Sequence, residues 1–157
     1  MLIKGITDED FINYKLPSMF ISTATCDFKC DIENGSQICQ NCSLAKQPSI
    51  MVPDARIVDR YIGNPITKAV VFGGLEPMDQ LDELISIISL FRGKVRDDIV
   101  IYTGYTEAEL ADTVTAIAPF GNIIIKYGRF IPGQNPHFDD VLGVKLASDN
   151  QYAKRYR

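Results

Sequence analysis

The chain reads as an α/β protein, a partial (open) β/α barrel built on a mostly parallel sheet. Three observations predict this. The short apolar runs ITKAVVF (66–72), DIVIYT (98–103) and NIIIKYG (122–128) have the character of strands buried on both faces. Between the first two, LDELISIISLF (81–91) repeats apolar residues at helical spacing. The length of 157 residues suits a single domain over 1–157 but falls short of the roughly 250 that a closed eight-unit barrel takes.

Taken in order, the segments support that reading. MLIKGITDED is acidic and lacks the apolar core of a secretory signal. MFISTA (19–24) joins β-branched and aromatic residues and reads as the first strand. It runs into a loop, 26–42, that contains the turn dipeptide Asn34-Gly35. Pro48 and Pro53 bracket a short extended piece, and Asp54 to Tyr61 reads as a short helix ending near Gly63. The strand at 66–72 stops at Gly73-Gly74, and Asp79 is placed to cap the helix of 81–91. Gly104 stops the strand at 98–103. Thr106, with Glu109 in the capping-box position, opens a helix from Glu107 to Ala118. The strand at 122–128 follows, and VLGVKLAS (141–148) reads as a last one. The terminal YAKRYR reads as a frayed end. No repeat, low-complexity tract or linker divides the chain.

Charge narrows the function classes. Sixteen Lys and Arg against 20 Asp and Glu leave a formal charge of −4, which gives no general affinity for nucleic acid or an anionic membrane. No stretch approaches the roughly eighteen apolar residues of a transmembrane helix. A cytoplasmic location is the expectation, and there thiols stay reduced.

All four cysteines lie in CDFKCDIENGSQICQNC, spaced Cys26-x3-Cys30, then eight residues, then Cys39-x2-Cys42. A disulfide framework is the weaker reading in a reducing compartment, and a metal or cluster site is the stronger one. Zinc would take four sulfurs in a closed tetrahedron. A four-thiolate iron–sulfur cluster would also be closed, while three thiolates would leave one iron open to bind a substrate. The spacing leaves these alternatives open.

Ligands of such folds gather at the carboxyl ends of the strands. Cys26 follows the first strand, Gly73-Gly74-Leu75-Glu76-Pro77 the second, and Thr103-Gly104-Tyr105-Thr106 the third, so all three loops should open on one face. The two glycines let a backbone approach a ligand closely, and Glu76 offers an acceptor for a ligand amine. Pro77 is suited to open the next helix. An ordinary strand-to-helix turn has the same composition.

Together, Cys26-x3-Cys30 and GGLEP resemble the radical S-adenosylmethionine superfamily. FGGLEPMDQLDELI, DIVIYTGYT and LGVKLASDNQ are similar to segments of the small activating proteins of anaerobic ribonucleotide reductase, and the likeness runs from about Met19 to Gln151. The resemblance implies a 4Fe-4S cluster and S-adenosyl-L-methionine as cofactors. It implies cluster ligation by Cys26, Cys30 and Cys39, with Cys42 as the alternative, because the usual third position holds Glu33. It implies cofactor binding by Gly73, Gly74, Glu76, Pro77, Thr103 and Gly104. It further implies a glycyl-radical enzyme as partner, the large subunit of the reductase, and an electron donor such as flavodoxin or ferredoxin. The chemistry implied is reductive cleavage of the cofactor to a 5′-deoxyadenosyl radical that takes a glycine Cα hydrogen. Two alternatives stand beside it: the same chemistry on another protein or small molecule, and a non-enzymatic zinc or closed-cluster module.

Weaker features complete the reading. Tyr102 lines the nucleoside or packs a strand end. Phe28 and Ile32 shield the cluster or anchor its loop. Ser148, Asp149 and Asn150 touch the cofactor or form a turn. Lys126 is read as a solvated or paired charge, and His137 as a loop residue.

Overall fold

The longest β-branched runs of the sequence form the centre of a seven-stranded open sheet. The computed structural model describes residues 1–157. In chain order the elements are β1 (Leu2–Asp10), β2 (Ser18–Thr23), α1 (Lys29–Asn34), α2 (Cys42–Ala45), β3 (Ile50–Met51) and α3 (Asp54–Ile62). Then come β4 (Ala69–Gly73), a 3-10 turn (Pro77–Gln80), α4 (Leu81–Arg92), β5 (Asp98–Tyr102) and α5 (Ala111–Ile117). The chain ends with β6 (Ile123–Tyr127), β7 (His137–Asp139), β8 (Val144–Leu146) and β9 (Tyr152–Tyr156). The strand order is β3-β1-β2-β4-β5-β6-β9. The four central strands, β2, β4, β5 and β6, run parallel; β1 and β9 flank them antiparallel, and β3 pairs antiparallel with β1 at the outer edge.

Parallel neighbours need crossovers, and helices supply them. Val70, Phe72, Ile99, Ile101, Ile123 and Ile125 pack on one face against Ile57, Val58 and Tyr61 of α3, Leu84, Ile87, Ile88 and Phe91 of α4, and Ile117 of α5. The residues in between, Ala69, Val71, Val100 and Ile124, turn to the opposite face, as strand alternation requires. No helix covers that face. Tyr14 from the β1–β2 loop and Leu142 and Leu146 from the C-terminal region cover it instead. The Tyr14 hydroxyl donates to Asp98 (2.6 Å), Arg155 donates to the same carboxylate, and Lys15 N–H bonds Leu142 O (2.8 Å). This thin cover leaves room for a cavity at the carboxyl ends of the strands.

Several expectations need correction. VLGVKLAS does not join the main sheet. It contracts to β8, which pairs with β7 in a separate hairpin, because Gly143 at φ +71 breaks the run. His137 accordingly lies in a strand. YAKRYR is not frayed: it forms β9 against β6, tied down by Arg155 to Asp98 and by Lys154 to Glu107 (2.6 Å). MLIKGITDED also proves to be mostly a strand. The capping box does form, with Thr106 N–H on Glu109 Oε2 (2.8 Å) and Glu109 N–H on Thr106 Oγ1 (3.3 Å). Yet Glu107 to Leu110 are turns and the helix begins only at Ala111. Asp79 caps nothing; its carboxylate accepts from Asp27 N–H and the Tyr105 hydroxyl. Glu76 caps the 3-10 turn through Met78 N–H. No helix is long and apolar enough to cross a membrane.

Candidate functional site

The parallel strands deliver their following loops to one end of the sheet, where a cavity of about 490 Å³ opens. Cys26, Cys30 and Cys39 line it together with Gly74, Glu76, Thr103, Gly104, Lys126, Gly128 and Arg129. Ile12 and Asn13 reach its mouth from the β1–β2 loop, where the Tyr102 hydroxyl donates to Asn13 O (2.5 Å).

The cysteine loop leaves β2 at Thr23 and turns sharply at Phe28, whose φ of +55 is uncommon for a side chain of that size. That turn brings Phe28 N–H onto Cys26 Sγ (3.3 Å). Asn41 N–H donates to Cys39 Sγ (3.4 Å), and the backbone N–H of Phe130 favours the thiolate of Cys30. Backbone donors of this kind stabilise a cluster's sulfurs. Burial nevertheless pushes the Cys26 thiol up to about 12, opposed by Phe28 N–H, and burial and the neighbouring Cys39 raise Cys30 as well. Both are therefore protonated until a metal displaces the proton. No cysteine is in a disulfide. Cys42 opens α2, lies outside the cavity and has no such donor.

The second and third loops are joined through Glu76. Its Oε2 accepts Gly104 N–H (2.8 Å) and its Oε1 accepts Met78 N–H (3.0 Å). Burial raises this carboxyl to about 7, while the bonds from Gly104 and Met78 oppose the rise. Gly74, at φ +82, passes so close to α2, the helix that ends the cysteine segment, that a Cβ would stand 2.8 Å from Leu44 Cδ2. Lys126 is buried, not solvated. Its Nζ donates to Gly128 O (2.8 Å), and burial lowers it to about 8 against the pull of Glu76 and Cys30. Arg129 grips Glu109 with two nitrogens (2.9 and 2.8 Å) and Glu33 at 3.4 Å.

Of the residues expected at the site, Cys26, Cys30, Cys39, Gly74, Glu76, Thr103 and Gly104 meet at the cavity. Gly73 and Pro77 stand behind it: Gly73 is wedged between Phe20 and Tyr102, and Pro77 opens the 3-10 turn. Tyr102 lines the wall. Phe28 is half-buried, but Ile32 is 72% exposed and anchors nothing. Ser148 and Asn150 form a turn that buttresses the fourth loop, Asn150 donating to Arg129 O (2.8 Å). That fourth loop, Gly128-Arg129-Phe130, was missed. Its signal was present: like the other two, a glycine follows a buried strand.

A family model described as a 4Fe-4S single cluster domain matches residues 18–146. Searches of curated proteins and of solved structures find no significant match. The donor set fits such a cluster. Three thiols with backbone N–H donors face one cavity, whereas no group of three His, Cys, Asp or Glu side chains converges on a single ion. The matched stretch runs from β2 through β8 and takes in every cysteine, so the chain belongs to the family of 4Fe-4S single cluster domains.

Proposed function

We propose that this protein is a radical S-adenosylmethionine activating enzyme whose cluster is held by Cys26, Cys30 and Cys39, built on a partial β/α barrel. One observation carries the reading: three thiols, and not four, share a cavity with a glycine turn, a buried carboxylate and a buried amine. Its volume of about 490 Å³ lies within the range of small-molecule sites. Cluster and S-adenosylmethionine together supply reductive cleavage of a sulfur–carbon bond and, from it, a carbon radical.

The chain's own residues bind and orient. Gly74 allows the ligand's amino end to approach the backbone. Glu76, fixed by two N–H bonds, keeps acceptor capacity on both oxygens for an ammonium. Lys126 has one partner and two further N–H groups for a carboxylate. Thr103 and Gly104 offer the wall for the nucleoside. Gly73 and Pro77 hold the shape of the turn. The target is a glycine of a partner, the anaerobic ribonucleotide reductase large subunit, with a flavodoxin or ferredoxin as electron donor, in the cytoplasm. Positioning a partner's loop beside the bound ligand does most of what the protein must do.

The experiment is anaerobic reconstitution followed by addition of S-adenosylmethionine, a reductant and the candidate reductase. Cofactor cleavage and a glycyl radical signal in paramagnetic resonance are expected. Glu76→Ala should weaken cofactor binding about tenfold or more, the loss of a charge-assisted contact. Cleavage without a glycyl radical would move the target to another protein or small molecule. One zinc per chain and no iron would end the reading.

A further inference from the structure

We propose that Asp31 is the positioning residue for the third thiolate, its carboxylate holding Cys39 at the cavity. The proposal rests on ligation by Cys26, Cys30 and Cys39. Asp31 Oδ1 accepts both Ile38 N–H and Cys39 N–H, each at 2.8 Å. Asp31 directly follows Cys30 in α1, so one short helix fixes one thiol and grips the chain that brings back the next.

Nothing else performs that task. No other hydrogen bond reaches the backbone of residues 36–39, residues 32–37 are exposed, and α1 buries no side chain. Gly35, at φ +67, reverses the chain after α1 but leaves the returning strand of the loop free. Position 33, three residues beyond Cys30 on the same helix face, is committed elsewhere: Glu33 pairs with Arg129 at 3.4 Å and does not line the cavity. The third sulfur therefore arrives from the far side of the loop. Its backbone N–H is tied by a side chain that carries no sulfur and does not line the cavity.

The test is iron and sulfide per chain, with the paramagnetic resonance spectrum of the reduced cluster, for anaerobically reconstituted Asp31→Ala, Asp31→Asn, Cys39→Ala and Cys42→Ala. Circular dichroism and melting of the metal-free proteins check that all four fold. Asp31→Ala should lose bound iron several-fold with the metal-free melt unchanged. Asp31→Asn should retain the iron and the spectrum, because both bonds use one oxygen that an amide also supplies. Asp31→Ala with full iron and an unaltered spectrum, while Cys39→Ala has lost its cluster, overturns the role of Asp31 alone. Equal losses in Asp31→Asn and Asp31→Ala overturn it too, since the accepting oxygen is then not the cause. Iron retained in Cys39→Ala overturns the three-thiol reading and this proposal with it.

Discussion

The glycine-ended loops and the cysteine loop meet at one cavity but are held there by different forces. The former inherit their places from β4, β5 and β6, whose side chains are buried almost throughout. The latter hangs on two short helices that bury nothing, and side-chain to backbone bonds from Asp31 and the N–H···S contacts fix it. The glycine-loop half of the site is thus preformed with the core, while the thiol half is held mainly by polar contacts, among them Asp27 N–H to Asp79 and Glu33 to Arg129. Damage to the first should appear as lost stability, and damage to the second as lost cluster.

The largest effect is expected in the core beneath the loops. Phe72, fully buried in β4, should cost about 3–5 kcal/mol on truncation to Ala, read from urea unfolding of the metal-free protein. Ile32→Ala in the cysteine loop, a residue 72% exposed, should stay within about 0.5 kcal/mol. Similar losses at the two sites would break the contrast. Gly74→Ala comes next. A left-handed φ of +82 and a Cβ 2.8 Å from Leu44 should cost about 1–2 kcal/mol and also reduce bound iron, since Leu44 lies in α2, the helix that follows Cys39 in the chain. A stability loss with iron unchanged would show that the two halves are independent even at their contact.

The smallest effect is electrostatic. The hydrogen bonds from Arg129 hold the Glu109 carboxyl down to about 2 from its ordinary 4.5. A lowered folded-state value means that the pair stabilises above about pH 4.5 and that this contribution fades as pH falls toward 2. Glu109→Gln should flatten that part of the acid limb in denaturant midpoints of the metal-free protein. The change should be modest because the carboxylate is partly exposed. An unaltered acid limb would remove the pair from the support of the fourth loop.

The same contrast explains what was legible beforehand. Buried parallel strands announce themselves as apolar runs, so β4, β5 and β6 and the loops after them were readable, with Gly74, Glu76, Thr103 and Gly104 in place. Edge strands carry no such run. β9 is charged and aromatic, and it is held as a strand by its ladder to β6 and by the pairing of Arg155 with Asp98 and Lys154 with Glu107, all tertiary facts. Lys126 looked like a surface charge because its burial depends on the β1–β2 loop and the C-terminal region folding over that face. Asp79 looked like a cap because its true partners, Asp27 and Tyr105, are distant in sequence.

The choice between Cys39 and Cys42 tests the central claim most directly. Iron bound per chain should be lost in Cys39→Ala and fully kept in Cys42→Ala after anaerobic reconstitution. Loss in both, or loss in Cys42→Ala alone, would contradict a cluster held by the three thiols that face the cavity.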